Sequence, residues 1–244
     1  MRGIANLSIA LRLAAVFSLL ISNQAWSQTI PGEAPEFSQD EIRQIITDAQ
    51  TIREEALDRI SRVNRYKILG QNGCLEGNCN NGAGTFVNAD GSYYSGDHVA
   101  RLQQGFGTYV WPTGDKYTGN FERGVQTGDG TYLTADGNKY SGEFVNGAPS
   151  GNGTDYYASG DKYIGAHERG LPNGYGTYYC AEGWVYIGNH VDGVSEGQGS
   201  YFYASGQKYI GTFENGLFNG YGVAYFPDGR VFHEGRWRDN KPVQ

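Results

Sequence analysis

The sequence has few charged side chains, prolines, methionines and cysteines. Charged residues make up 18% of the 244 residues, and there are seven prolines, one methionine and three cysteines. So few prolines exclude a collagenous or proline-rich disordered chain. Leucine, methionine and alanine do not dominate, which argues against a helical bundle. Glycine and tyrosine are abundant instead, with 38 and 19 residues. This composition predicts many short strands joined by tight turns.

Near the N-terminus there is one apolar run of nine residues, Leu13–Ile21. It is about half as long as a segment that crosses a bilayer, so a membrane anchor is disfavoured. Arg2 and Arg12 precede the apolar core, and Ala25-Trp26-Ser27 offers small residues for cleavage before Gln28. Residues 1–27 are therefore predicted to be a secretory signal peptide. The expected location is the bacterial periplasm or the medium.

Basic residues are too few for a protein that binds nucleic acid. The whole chain carries a formal charge of −7, and without residues 1–27 it has 17 basic against 26 acidic side chains, formally −9. Proteins that bind phosphate backbones need the opposite balance, so nucleic acid is excluded as a partner. Anionic lipid is disfavoured for the same reason, although a local basic stripe can still act.

A 23-residue period runs through most of the chain. Each of three glycine columns recurs at this step, and tyrosine and aromatic-or-histidine columns keep the same phase. The first glycine column is Gly84, Gly107, Gly130, Gly153, Gly176, Gly199 and Gly222, and the tyrosine column is Tyr94, Tyr117, Tyr140, Tyr163, Tyr186 and Tyr209. Such a period is the signature of a repeat architecture.

One repeat reads as a β-hairpin. Tyr117-Thr-Gly-Asn-Phe121 alternates aromatic or glycine with polar residues, which indicates a strand. Thr131–Leu133 is a second, short strand, and Asp136-Gly137 is a tight turn before the next repeat. A glycine that recurs inside a strand indicates that an aromatic ring lies against bare backbone. Stacked hairpins bury one another's aromatic rings and fold as a solenoid.

The pattern Tyr-x-Gly-x-(Phe/Trp)-x-x-Gly-x-x-x-Gly-x-Gly resembles the MORN (membrane occupation and recognition nexus) repeat, over residues 82–237. The resemblance implies an all-β, single-layer antiparallel β-hairpin solenoid, here an array over 82–244. It also implies scaffolding, dimerisation or membrane-lipid contact as functions. Three positions depart from the pattern: Arg101 replaces a loop glycine, Asp155 replaces a tyrosine, and the last unit, His233–Trp237, slips by one residue.

An amphipathic helix is predicted over residues 38–67, after a linker at 28–37. Ser38 and Glu41 suit a capping box. One helical stripe is apolar and consists of Ile42, Ile45, Ile46, Ala49, Ile52, Ala56, Ile60 and Val63. Two roles remain open: the helix packs on the first repeats and covers an edge strand, or it forms a short coiled coil that makes the protein a homodimer.

Cys74 and Cys79 lie in a leader at residues 68–81. In an exported protein this pair is predicted to form a disulfide. Metal binding is the weaker alternative, because there are only two thiolates and no nearby histidine. Cys180 takes a position that other repeats fill with Trp111 or Tyr157, so it is predicted to be a small packed residue.

All four histidines belong to the repeat. His98, His167 and His190 occupy the phenylalanine column and His233 the tyrosine column, so all four are predicted to pack in the sheet. A metal shared by His167 and His190 would need further ligands. No metalloprotease, P-loop, EF-hand or nucleophile-elbow motif occurs in the sequence. We therefore expect no enzyme and no cofactor.

One further set of residues is a candidate ligand face. The lysines recur just before the tyrosines and would form a basic ladder beside a row of rings; the set is Lys116, Lys139, Lys162, Lys208, Tyr117, Tyr140, Tyr163, Tyr186 and Tyr209. The alternative is a solvated edge that favours solubility. The expected function is a non-catalytic exported scaffold for protein partners. The alternative function is an envelope module that binds anionic lipid headgroups or glycan through this face.

Overall fold

The computed structural model describes residues 72–243. The predicted signal peptide (1–27), linker (28–37) and amphipathic helix (38–67) lie outside the described residues, as does the beginning of the predicted leader (68–81). Within the described range there is no helix long and apolar enough to cross a membrane.

The described residues form one open antiparallel sheet of sixteen strands, in which each strand pairs with its neighbours in the sequence. The strands are β1 Gly73–Gly77, β2 Asn81–Val87, β3 Tyr93–Val99, β4 Leu102–Val110, β5 Lys116–Glu122, β6 Val125–Leu133, β7 Lys139–Val145, β8 Ala148–Tyr156, β9 Lys162–Glu168, β10 Leu171–Tyr179, β11 Val185–Val191, β12 Val194–Phe202, β13 Lys208–Glu214, β14 Leu217–Tyr225, β15 Val231–Arg238 and β16 Lys241–Pro242. The predicted single-layer hairpin solenoid is confirmed.

Two kinds of turn alternate along the sheet. Within each hairpin, two residues with positive φ join the strands, as at Arg123 (50°) and Gly124 (89°). Two successive positive φ values define a type I′ turn, whose twist matches that of the flanking strands. At the first such turn Arg101 takes the glycine position with φ 67°, so the predicted departure from the repeat leaves the turn geometry unchanged.

The second kind of turn joins one hairpin to the next through a longer loop. After β6, the Thr134 amide donates to the Asn138 carbonyl oxygen (2.9 Å), and the Gly137 amide donates to the Thr134 carbonyl oxygen (3.0 Å). Gly137 has φ 92°, which a residue with a side chain rarely adopts. The glycine column at these turns is therefore explained by backbone conformation.

The sheet has two chemically different faces. Successive side chains of a strand point to opposite faces, so in β5 Tyr117, Gly119 and Phe121 lie on one face and Lys116 and Thr118 on the other. Cross-strand pairing keeps these sets together, because Tyr117 pairs with Tyr109 and Tyr132, whereas Lys116 pairs with Val110 and Leu133. We call these faces the tyrosine face and the lysine face.

The core of the tyrosine face is built from tyrosine rings that lie on glycine backbone. Tyr117 is fully buried, and its hydroxyl donates to the Asn120 carbonyl oxygen at 3.0 Å. A Cβ added to Gly130, across the strand pair, would lie 2.5 Å from Tyr117 Cε2. Real Cβ atoms do not approach other atoms so closely, so the prediction that a ring packs on bare backbone at the strand glycines is confirmed.

Each buried tyrosine also contacts two successive members of the phenylalanine-and-histidine column. The Tyr117 ring centroid lies 5.1 Å from that of Phe121 and 4.8 Å from that of Phe144, and both contacts are edge-to-face. This geometry is favourable between aromatic rings. The same pattern holds from Tyr94, between His98 and Phe121, to Tyr209, between Phe213 and Trp237. Hairpins thus stabilise one another through interlocked rings.

Two details differ from the expected boundaries, and a third agrees with the prediction. The leader contributes a strand, β1, that pairs with β2, although no strand was predicted there. The second strand of each repeat is longer than predicted: β6 starts at Val125 rather than at Thr131, because the glycines around Gly128 continue the strand through an irregularity in its register. The predicted slip of the last unit corresponds to a register shift between Ala224 and Tyr225.

Cys74 and Cys79 are joined by a disulfide, with their Cα atoms 5.7 Å apart. The bridge joins the start of β1 to the turn that leads into β2. Cys79 is buried, and its Sγ is among the atoms that an added Cβ at Gly84 would meet. The bridge therefore occupies, over a strand glycine, the kind of place that a tyrosine ring fills in later repeats, and the predicted disulfide is supported.

Candidate functional site

The candidate ligand face of tyrosines and lysines does not exist as one surface. Its five tyrosines are buried in the core of the tyrosine face, with exposed fractions of at most 5%. The lysines point to the opposite face, because each precedes its tyrosine by one residue in the same strand. The prediction that both rows contact one ligand is therefore wrong; the tyrosines Tyr117, Tyr140, Tyr163, Tyr186 and Tyr209 hold the sheet together.

The lysines pack against a different aromatic column. Lys139 Nζ and Lys162 Nζ both lie 5.3 Å from the ring centroid of Tyr156, and Lys208 Nζ lies 4.7 Å from that of Tyr225. These are cation–π distances. All four lysines, including Lys116, are half-buried. The lysine ladder therefore contributes to the structure of its own face.

The histidines pack in the sheet, as predicted. His98, His167 and His190 are buried, and the Tyr163 ring contacts both His167 (centroids 5.1 Å apart) and His190 (4.9 Å). Burial lowers the pKa of His190, since a buried imidazole is more stable neutral. Across residues 72–243 there is no group of three or more side chains placed to hold a metal ion.

Cys180 is half-buried, and its sulfur accepts a hydrogen bond from the Glu182 amide at 3.5 Å. Burial raises the pKa of the thiol, with a further contribution from Asp161. A raised pKa disfavours the thiolate, which is the reactive form. Its setting agrees with the prediction of a packed residue and gives it no nucleophilic role.

A second row of rings lies on the tyrosine face beside the loops between hairpins. Tyr109 and Trp111 have ring centroids 4.6 Å apart, and Trp111 and Tyr132 5.5 Å. Those two contacts are tilted or edge-to-face, whereas further along Tyr178, Trp184 and Tyr201 stack face to face, at 5.3 and 5.1 Å. These rings are only partly buried. The row is thus the accessible aromatic surface of this face.

The row is interrupted at Asp155, in a column that has tyrosine in four other repeats, with Phe86 and Ala224 at the two ends of the array. The carboxylate Oδ2 accepts hydrogen bonds from His167 Nε2 at 2.8 Å and from the Tyr157 hydroxyl at 3.3 Å. His167 belongs to the column of buried phenylalanines and histidines, which also carries Phe121, Phe144 and His190. Burial raises the pKa of Tyr163 to about 12, and the negative charge of Asp155 adds to the shift.

A cavity of about 470 Å³ lies at this interruption. Its wall is made of rings and short polar groups, among them Trp111, Tyr132, Phe144, Tyr157, Asn138 and Asp155. The two buried aromatic clusters of the tyrosine face lie on either side, one ending at Phe144 and the other beginning at Tyr186. The sequence had marked Asp155 as a departure but had not indicated a cavity.

The lysine face carries an exposed apolar row at the two-residue turns, which had not been predicted from the sequence. Its members are between 36% and 55% exposed, and they are Val99, Leu102, Val125, Val145, Leu171, Val191, Val194 and Leu217. We call them the hairpin-end row. A signal for it does exist in the sequence, because the residue before each turn alternates between valine and glutamate: Val99, Glu122, Val145, Glu168, Val191 and Glu214.

Comparison with known proteins establishes the family. The MORN repeat profile matches six consecutive segments, residues 102–116, 117–139, 140–162, 163–185, 186–208 and 209–229. These segments make up more than half of the chain, and the chain belongs to the MORN repeat family. No curated protein sequence matches it.

Among the solved structures that match the chain are three domains of the protein CPAP. The TCP domain of Drosophila melanogaster SAS-4 (dCPAP), in complex with a proline-rich motif of Ana2 (dSTIL), is 12% identical, with a TM-score of 0.35, over 59% of this chain and 72% of that one. The CPAP G-box domain is 16% identical, with a TM-score of 0.30, over 71% and 100%. The TCP10 domain of Danio rerio CPAP is 16% identical, with a TM-score of 0.25, over 64% and 73%. Such low scores carry no conclusion about this chain.

Proposed function

We propose that this MORN repeat protein is a non-catalytic scaffold that docks a protein partner along the hairpin-end row. The observation that carries the proposal is the continuity of exposed apolar side chains along the array. Contiguous exposed apolar surface on a soluble protein marks interaction sites. Isolated apolar residues need no explanation, but this row recurs at successive hairpins.

The dimensions of the row favour an elongated partner segment. It extends from Val99 on β3 to Leu217 on β14. With neighbouring strands about 4.8 Å apart, the row is roughly 50 Å long. Glu122, Glu168 and Glu214 interrupt the apolar side chains at regular intervals. A segment with apolar residues and regularly spaced basic residues matches this row in length and charge.

The chemistry of the described residues agrees with a non-catalytic role. His98, His167 and His190 are buried against aromatic rings, and the thiol of Cys180 has a raised pKa. A ligand role for the buried tyrosine row is not retained, because the rings cannot be reached from solvent. Lipid headgroups or glycan would therefore have to bind elsewhere on the molecule.

Charge substitutions in the hairpin-end row test the proposal. We expect Val145→Glu with Val191→Glu to abolish capture of the partner from extracts of the source cells, because charged side chains then replace apolar contacts of the row. The variant should still fold, because the same column already carries Glu122, Glu168 and Glu214. The measurement is a pull-down with the full chain, quantified by mass spectrometry, with circular dichroism to confirm folding.

The matched control is Thr113→Glu with Ser205→Glu, which adds the same charge at the opposite strand ends. Glu182 occupies the same turn position in its own repeat, so this variant is also expected to fold. Retention of the partner by this control and its loss from the first variant support docking at the row. Equal capture by both variants contradicts it.

Export is part of the proposal and rests on the sequence of residues 1–27. We expect the protein from its own cells to begin at Gln28 and to occur in the envelope or the medium. Mass spectrometry of the N-terminal peptide checks this, and an intact Met1 on the cell-associated protein contradicts it. A homodimer through residues 38–67 is a separate prediction, and sedimentation of the chain with and without those residues tests it.

A further inference from the structure

The cavity beside Asp155 lies at the place of a ring that the repeat otherwise supplies. Tyr109, Tyr132, Tyr178 and Tyr201 occupy this column in other repeats, and each packs against a neighbouring ring. Asp155 is too short to fill that space, and its carboxylate bonds to His167 instead of extending along the row. The rings on either side therefore line a cavity instead of packing on a tyrosine of this column.

The polar groups around the cavity fit a phenol. In two other repeats the tyrosine hydroxyl of this column donates to an aspartate of the preceding loop: Tyr132 to Asp115 Oδ2 at 3.2 Å, and Tyr178 to Asp161 Oδ2 at 2.9 Å. At the interrupted repeat the equivalent loop residue is Asn138, which lines the cavity.

Asn138 stands where two other repeats have Asp115 and Asp161, and an asparagine is better suited than an aspartate to bind a ring of another molecule here. Asn138 Oδ1 accepts the Ala158 amide at 2.9 Å, as Asp115 and Asp161 accept the equivalent alanine amides at 2.8 Å. An asparagine still has its amide nitrogen to donate to a phenolic oxygen. An aspartate here would add a second carboxylate beside Asp155, and like charges disfavour each other.

We propose that this cavity is a binding site for a phenol ring, supplied by a tyrosine side chain of a protein partner that contacts the tyrosine face. The incoming ring takes the place of the missing repeat tyrosine, between Tyr132 on one side and Tyr157 on the other. The Asn138 amide nitrogen donates to its oxygen, at the place where Asp115 and Asp161 bond the hydroxyls of Tyr132 and Tyr178 in their own repeats. Cavities lined by apolar side chains bind rings of matching shape, and a few convergent polar groups fix their orientation.

The biological source of the ring rests on the proposed docking function, but the cavity can be tested without any partner. The probes are N-acetyl-tyrosinamide, N-acetyl-phenylalaninamide, N-acetyl-leucinamide and 4-ethylphenol, titrated into the full chain and followed by saturation-transfer NMR. We expect the tyrosine amide to bind at least about tenfold more tightly than the leucine amide, with the phenylalanine amide between them. The Trp111 indole signal, assigned with Trp111→Thr, is expected to shift.

Filling the cavity from within is the decisive variant. Asp155→Tyr with His167→Phe gives this repeat the pair found at Tyr132 and Phe144, and we expect it to fold with an equal or higher Tm and to lose at least about tenfold in affinity for the tyrosine amide. The matched control is Asp129→Tyr on the lysine face, in a column that carries Tyr175 and Tyr221, and it should bind as the wild type does. Should the double variant not fold, Trp111→Thr, which places the residue of Thr134 in the same column, is expected to weaken binding in its stead.

Three results would overturn the inference: equal binding of the leucine and tyrosine amides, unchanged binding after the cavity is filled, or no response of the Trp111 signal to any probe. Binding of 4-ethylphenol without the tyrosine amide would overturn a protein side chain as the source. None of these results bears on capture at the hairpin-end row, so the two proposals fail separately.

Discussion

The histidines of the array differ in how well the sheet accommodates them. Phe121 and Phe144 bring no polar atom into the core, whereas His98 at the equivalent position buries two ring nitrogens that have no hydrogen-bond partner among the protein atoms of residues 72–243. His167 avoids this by bonding to Asp155 and to the Gly165 carbonyl oxygen. The cost of a histidine here therefore depends on its immediate neighbours.

His98→Phe is expected to stabilise the protein by about 1–3 kcal/mol, since a buried polar group without a partner costs that much. The ring contact with Tyr94, now 5.0 Å between centroids, is retained by phenylalanine. Urea unfolding at neutral pH measures the change. The reverse exchange, Phe121→His, should lower the free energy of unfolding. A destabilised His98→Phe variant would contradict the prediction, because it would show that the His98 imidazole makes a stabilising hydrogen bond.

The stability of each hairpin depends on the contact between a tyrosine ring and the glycine backbone beneath it. Gly130→Ala is expected to destabilise by about 1–3 kcal/mol, the usual cost of overpacking, because the new methyl group overlaps the Tyr117 ring. Chemical denaturation of the variant measures this cost.

A double-mutant cycle isolates that contact. In a Tyr117→Leu background the far edge of the ring is gone, so the same methyl group should cost less, which gives a coupling between the two sites. An unchanged cost in both backgrounds would mean that strand propensity, and not the ring, requires glycine at position 130.

The hairpins could be predicted from the sequence because their turns and ring contacts demand glycine at fixed steps. Gly137 needs a positive φ, and Gly130 needs to lack a Cβ, so both constraints appear directly in the sequence. Strand lengths were harder to predict, because in the sequence the glycines that continue β6 through its irregular register cannot be distinguished from loop glycines. The extra strand β1 was missed because Gly73–Gly77 lacks the alternation that indicates a strand.

The candidate site was predicted less well, and the reason is geometric. Lys116 and Tyr117 are adjacent in sequence, but adjacent residues of a strand lie on opposite faces. The cavity at Asp155 and the hairpin-end row depend on which columns come together across hairpins. The sequence marks the departure at Asp155, but only the three-dimensional arrangement shows the space that it leaves.

At the scale of the whole array, stability is expected to fall steeply in alkali. Burial raises the pKa of Tyr94, Tyr163, Tyr186 and Tyr209 from 10.0 to about 12. Below pH 10 both the folded and the unfolded chain keep these protons, so stability is complete there. Between pH 10 and 12 the unfolded chain loses them first, and unfolding becomes more favourable as the pH rises.

Thermal unfolding across this pH range, followed by circular dichroism and by the absorbance of tyrosinate, measures the effect. Tyr163→Phe should make the fall in Tm shallower, whereas Tyr175→Phe, at a side chain that is 59% exposed, should leave it unchanged. A flat Tm between pH 10 and 12 would contradict the burial of the tyrosine column.

Docking along the hairpin-end row is the central claim, and site-specific photo-crosslinking tests it most directly. A benzophenone side chain is placed at Val145 or Val191 in the row, or at Thr113 or Ser205 at the opposite strand ends, in the full chain expressed in its own cells. We predict that the two row positions crosslink to the same partner protein and the two control positions do not. Crosslinks at Thr113 and Ser205 alone, or none at Val145 and Val191, would contradict it.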